Sequence, residues 1–230
     1  MKKKIMMLML ASILAVTCYG KGIVSKCKEE RVPPKDWVFI QLGVWIDMPT
    51  STINSNVSGL KIGLPMSTGI GRVEGVEAGV FMVGTDEVMG LQAALGACFN
   101  ERMEGLQASL GLSYCDKNMD GMQTGLVNIA EIVVGFQAGV VNCVKEMNGA
   151  QAAALVNYSE YTDGAQLGVL NACHELDGTQ IGVINIAKKS SKGIQIGVFN
   201  SCRHGGIQFG LLNYIKDATI PMMPLFNIRL

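Results

Sequence analysis

From Phe39 onward the chain alternates apolar residues with polar or small ones, in an octet that returns at intervals of 13 to 20 residues. A period of two describes a β-strand whose two faces differ in character. The clearest copies occupy 121–128 and 135–142, and the same pattern opens again at Gly164, Gly178, Gly193 and Gly206. Looser copies open at Phe39, Gly59, Gly75, Gly90, Gly105, Gly149 and Ile220, which makes thirteen units over 39–230 and leaves no room for an inserted domain.

With the octet numbered from zero, position two is glutamine in ten of the thirteen units: Gln41, Gln92, Gln107, Gln123, Gln137, Gln151, Gln166, Gln180, Gln195 and Gln208. These are all the glutamines in the chain, so one side-chain type is reserved for one structural position. Lys61, Glu77 and Met222 are the exceptions. Position four is Gly, Ala or Ser until Pro224, and position seven is asparagine at Asn128, Asn142, Asn171, Asn185, Asn200, Asn213 and Asn227. Asn157 is displaced by one residue in the unit that opens at Gly149. Positions one, three and five are apolar, as in Ile194, Ile196 and Val198, so the strand presents one apolar face and one face of glycine, glutamine and a small residue. Linking segments of usually six residues carry the charges and close on Asn-Gly or Asp-Gly turns at 148–149, 163–164 and 177–178. Met119, Met147 and Leu176 precede such turns and are expected to dip into the core.

Two all-β architectures fit this arithmetic. In a parallel β-solenoid each unit is one coil, and equivalent glutamines and asparagines stack at intervals of about 4.8 Å. In an antiparallel meander, open or closed as a barrel, each unit is a strand plus a tight turn, a length that also suits a transmembrane barrel strand. Reservation of Gln and Asn for single positions favours like stacked on like, hence the solenoid. An odd number of units and 6% aromatic content also argue against an outer-membrane barrel. Pro221 and Pro224 in the last unit cannot donate to a ladder and read as a cap that stops growth.

Composition adds an address. Lys2, Lys3 and Lys4 precede an apolar run over 5–16 and a short stretch of small residues, the order of a secretory leader, expected to end at Gly20 and to be followed by a linker over 21–38. The run is shorter than the ~20 residues a membrane-spanning helix needs. The segment 14–18 also resembles a lipobox, which makes Cys18 an alternative lipidation site and a lipid anchor the alternative tie to a membrane. Nineteen basic against nineteen acidic residues become sixteen against nineteen once the three leader lysines are removed, so no basic excess points to nucleic acid. The 49% hydrophobic content excludes a disordered chain.

Candidate chemistry is sparse. His174 and His204 lie in linking segments near Cys173 and Cys202, but coils two apart would hold these pairs ~9.6 Å from each other, too far to share a metal at about 2 Å. No third group orients either pair for nucleophilic catalysis. Cys98, Cys115, Cys143, Cys173 and Cys202 follow the octet at similar positions and read as small buried side chains, with Cys98 and Cys115 the one pair placed for a disulfide and Cys27 outside the array. Asp120, Glu131, Glu146, Asp163 and Asp177 alternate with Lys188, Lys189, Lys192 and Arg203 in the same slots, which describes solvated turns better than calcium loops. The Gly69-Ile70-Gly71 triplet lacks the strand-to-helix context of a phosphate loop. No catalytic residue, metal ligand or cofactor is expected.

The recurring Gly-x-Gln-x-Gly-x-x-Asn octet behind a leader resembles that of a family of bacterial exported surface-repeat proteins, many of them described as lipoproteins. The likeness covers 59–227 and is strongest over 121–213, while the first units depart from it at Lys61 and Glu77 and carry Ile46, Met66 and Met82 in place of asparagine. The leader implies export to the periplasm, outer-membrane surface or exterior; the likeness carries over no established activity, and the lack of a convergent polar constellation argues against an enzyme. The expected function is a non-enzymatic structural or binding surface at the cell envelope, facing an envelope or extracellular protein or glycan. A small outer-membrane barrel or pore is the alternative. The glutamine stack is expected either inside the array or as its presented face.

Overall fold

The computed structural model describes residues 36–46 and 48–229. The leader, Cys18, Cys27 and the linker up to residue 35 lie outside the described residues. The chain forms β1 (Asp36–Gly43), a 3-10 turn (Thr50–Thr52), β2 (Ser55–Gly63), β3 (Met66–Gly79), β4 (Met82–Ala94), β5 (Ala97–Ser109), β6 (Leu112–Tyr158), β7 (Tyr161–Ser191), β8 (Ile194–Ile196), β9 (Phe199–His204), β10 (Gly206–Ile215) and β11 (Met222–Arg229). β1 thus opens at Asp36, inside the segment expected as linker. β6 and β7 are long because successive coils continue around corners without losing their ladder.

Strand pairing is parallel and in register, coil on coil. Gly59 pairs with Gly75, Gly75 with Gly90, Gly90 with Gly105 and Gly105 with Gly121. Gln180 pairs with Gln195 and Gln195 with Gln208. The result is a β-solenoid of about 12 turns, 85% strand, as the reservation of side chains by position implied. The meander and the closed barrel are not formed: consecutive units run parallel, and the sheet is an open path from β1 to β11.

The unit at Ile220 is a correction to the count. β11 runs antiparallel to β10, with Gln208 opposite Asn227 and Phe209 opposite Phe226. From Gly59 to Gly178, nine coils turn at a glycine with φ between +125° and +152°, where a Cβ would lie 1.9–2.5 Å from the carbonyl oxygen of the corner residue one coil earlier. Ile220 stands where these coils carry the glycine, and there the chain folds back instead of making a thirteenth coil, whereas the first unit, with Phe39 at its corner, still stacks parallel. Pro224 in the reversed strand has no N–H to offer a further strand, so the array ends in a cap as expected.

Inside the coils the apolar core is a seam. Val57, Val73, Val88, Met103, Met119, Val133 and Met147 stack along it, with Leu176, Cys173, Ala187, Cys202 and Ile215 continuing toward the C-terminal end. Met119, Met147 and Leu176 do dip inward, at 2% exposure or less. Val83, Ala94 and Cys98 form a smaller apolar cluster, and most of the other buried side chains are polar.

Candidate functional site

The glutamines from Gln92 to Gln208 are fully buried and form one continuous chain of amides. Each Nε2 donates to the Oε1 of the glutamine one coil nearer the N-terminus, in eight bonds of 2.6–2.9 Å. Six asparagine bonds of 2.8–2.9 Å make a second ladder, and it runs the other way: each Nδ2 from Asn128 to Asn200 donates to the Oδ1 one coil nearer the C-terminus. Amide orientation in the second ladder is fixed by backbone. Each of these Nδ2 atoms also faces a carbonyl of the next strand, Ala138 O for Asn128 and Ile181 O for Asn171 among them. Opposed ladders cancel each other's dipoles along the rod. Their terminal acceptors, Gln208 Oε1 and Asn128 Oδ1, are buried without partners.

Lys61 and Glu77, departures from the repeat in sequence, are members of the glutamine column in space. Lys61 pairs with Glu77 in register, and both are at most 1% exposed. A donor chain directed toward the N-terminus needs an acceptor at its head, and Glu77 Oε2 accepts from Gln92 Nε2 at 2.8 Å. Its other oxygen accepts from Thr85 Oγ1 at 2.6 Å and Ser67 Oγ at 3.2 Å, and lies 3.5 Å from Lys61 Nζ. Lys61 Nζ donates to Thr85 Oγ1 at 2.7 Å and to the Thr68 carbonyl at 3.3 Å. The buried charge is thereby offset and its lone pairs are occupied.

Glycine at position four makes room for the asparagines. A Cβ on Gly139, Gly168, Gly182, Gly197 or Gly210 would sit 2.6–2.9 Å from the Nδ2 of an asparagine one coil earlier. Where Ala153 replaces that glycine, the ladder pairing shifts between Ala153 and Val156, and Asn157 arrives one residue late yet still joins the stack.

The candidate nucleophiles and ligands are dispersed. Cys98, Cys115, Cys143, Cys173 and Cys202 are free thiols, four of them buried. Cys98 stands in register with Ser113 and Cys115 with Asn100, so the pair considered for a disulfide occupies different columns. Burial pushes the thiols of Cys98, Cys115 and Cys173 up to about 12 and that of Cys202 to about 11. His204 Nδ1 lies 2.6 Å from Asp217, and His174 meets the Tyr158 ring edge-on. Glu146, Asp163, Glu175 and Asp177 line an open groove of about 570 Å³, shared with Lys192 and Tyr161. Among the described residues no group of three or more His, Cys, Asp or Glu is arranged to hold a metal ion.

What the coils present outward is apolar. Positions one, three, five and six of the twelve coils make 48 outward positions; none is buried, none is charged, and Thr124 and Thr179 are the only polar side chains among them. Leu126, Leu155, Val169, Val198 and Leu211 are 46–63% exposed. At about 4.8 Å per coil and about 3.3 Å per residue, the strip is roughly 50 Å by 20 Å, near 1,000 Å². Monomers rarely carry an exposed apolar patch above about 300–600 Å². Charges occupy the opposite side, where Lys145–Glu131 and Lys189–Glu175 bridge neighbouring coils at 3.0 and 3.5 Å. The sequence marked the apolar positions but left open which face was internal; the burial of the glutamines decides it.

The fold and this surface define a β-solenoid with an amide-lined interior and an amphipathic exterior. Comparisons with family models, curated proteins and solved structures returned no match.

Proposed function

We propose that the chain is a non-enzymatic, exported bacterial repeat protein that serves at the cell envelope as a binding surface, its apolar strip being the binding face. One observation carries the reading: the 48 outward positions without a charge. Soluble rods have no use for such a strip, and a covered one stabilises whatever assembly covers it. The ladders support the role indirectly. With the stacked amides satisfied by their neighbours except at the ladder ends, the interior holds its shape without drawing the side chains at positions one, three, five and six inward. The leader and the octet's likeness to exported surface-repeat proteins support the location.

Carbene footprinting of envelope preparations against the purified chain tests this. Residues 167–170 should be shielded in the envelope and labelled in the purified chain once its assemblies are dispersed, while the linking segment 172–177 is labelled equally in both. Equal labelling of 167–170 in the two samples refutes the role.

A further inference from the structure

We infer that the apolar strip is covered by a second copy of this chain, packed face to face as a two-fold dimer; this rests on the binding-surface reading above.

Three observations select that partner over a lipid bilayer. The first is area. The face that carries positions one, three and five, roughly 50 Å by 16 Å on each copy, would bury about 1,600 Å² in all, the size of a standard stable interface. The second is period. Every outward row repeats once per coil, at about 4.8 Å, so a face built on the same period can seat its side chains between those of the first along the whole rod. A second copy has that period by construction, and a two-fold contact lets one patch serve both partners. The third is the border. The column just before each corner glycine, which flanks the strip, carries Glu74, Glu104, Asp120, Asp163 and Asp177, all exposed, against one lysine, Lys192. An acidic border opposes an anionic lipid surface, whereas a protein partner leaves it at the wet rim.

Sedimentation velocity on the full chain, expressed with its own leader and recovered as processed by the cell, should give twice the monomer mass at micromolar concentration. Ile181→Glu and Val198→Glu place carboxylates at outward positions, 43% and 47% exposed, outside the internal apolar clusters. Each should leave the circular dichroism of the monomer unchanged, lower its thermal midpoint only slightly because neither residue belongs to an internal apolar cluster, and weaken dimerisation roughly 100-fold or more, because each buries an unpaired charge in the contact. Lys189→Ala on the charged side should leave the dimer unchanged. A dimer that survives both carboxylates overturns the proposal. So does a monomer that floats with vesicles of phosphatidylethanolamine and phosphatidylglycerol, in which case a bilayer is the partner and the binding-surface reading stands. A monomer that binds neither itself nor vesicles also overturns the dimer, and the footprinting of 167–170 then decides the binding-surface reading separately.

Discussion

Replacement of Glu77 by glutamine is a near-isosteric change that should cost much of the protein's stability. The column position has two neighbours, Lys61 Nζ at 3.5 Å and Gln92 Nε2 at 2.8 Å, and both are donors. A carboxylate satisfies both. An amide has one oxygen, so whichever way it flips, an N–H faces a donor. The Coulomb attraction forfeited at 3.5 Å is roughly 5 kcal/mol at an effective dielectric near 20. Breaking a buried pair by removing one partner costs about 3–5 kcal/mol, and that is the loss expected for Glu77→Gln. Lys61→Gln should cost about 3 kcal/mol, since it strips the carboxylate of its countercharge while still offering one N–H. Together, however, Lys61→Gln and Glu77→Gln extend the regular ladder by two members, with Gln92 donating to position 77 and position 77 to position 61. The double variant should fall within about 2 kcal/mol of the parent, because replacing both members of a buried pair is often close to neutral. Urea unfolding followed by circular dichroism, with hydrogen exchange to localise the loss to the first four coils, provides the cycle. Additive losses, with the double variant as unstable as the sum of the singles, would refute the claim that this pair acts as the head of the ladder.

Gln137→Leu in mid-ladder strands Gln151 Nε2 and Gln123 Oε1, which bond Gln137 at 2.7 and 2.6 Å, and should cost about 2–5 kcal/mol by urea unfolding. Gly182→Ala puts a Cβ 2.1 Å from the Gly168 carbonyl oxygen and 2.6 Å from Asn171 Nδ2; a loss of about 3 kcal/mol or more is expected, against under 1 kcal/mol for Val183→Ala on the outer face. Because burial raises the thiols of Cys98, Cys115 and Cys173 from 9.0 to about 12, the unfolded chain releases those protons first as pH rises. Their contribution is complete below pH 9 and is lost between 9 and 12, so the urea midpoint should fall across that window. A flat midpoint, or rapid native alkylation of these three at pH 8, contradicts the burial.

Much of the fold is written in the order of residues because a solenoid couples each position to its own copy one turn away. Reservation of glutamine for one slot has no rationale in an antiparallel meander, and it is enough to recover parallel stacking. Lys61 and Glu77 show where position-by-position reading fails. As single letters they break the pattern, and only their adjacency in the column reveals a donor facing an acceptor. Which face is internal was equally illegible, since Leu and Ile at alternate positions conventionally mark the core. Steric room decides against them: the corner glycines and the glycines at position four bring consecutive backbones and asparagine amides too close for large side chains. Ile220 marks the converse, a unit whose octet persists in outline while its strand runs antiparallel to the one before.

The inversion of inside and outside has an energetic logic. Burying an amide costs free energy unless both its donor and its acceptor are met, and in most folds that is hard to arrange for a row of glutamines. Stacking at one coil per step meets it automatically, since each copy supplies what the next one lacks and the deficits collect at the two ends. Those ends are where Glu77 supplies the acceptor and where Gln208 Oε1 and Asn128 Oδ1 go without partners. With the interior satisfied in this way, the apolar side chains at positions one, three, five and six lie outside the internal apolar clusters of the chain. Their uniform occurrence along the whole rod is the surface the proposed contact would use, and with no charge among them that contact would run unbroken from the first coil to the last.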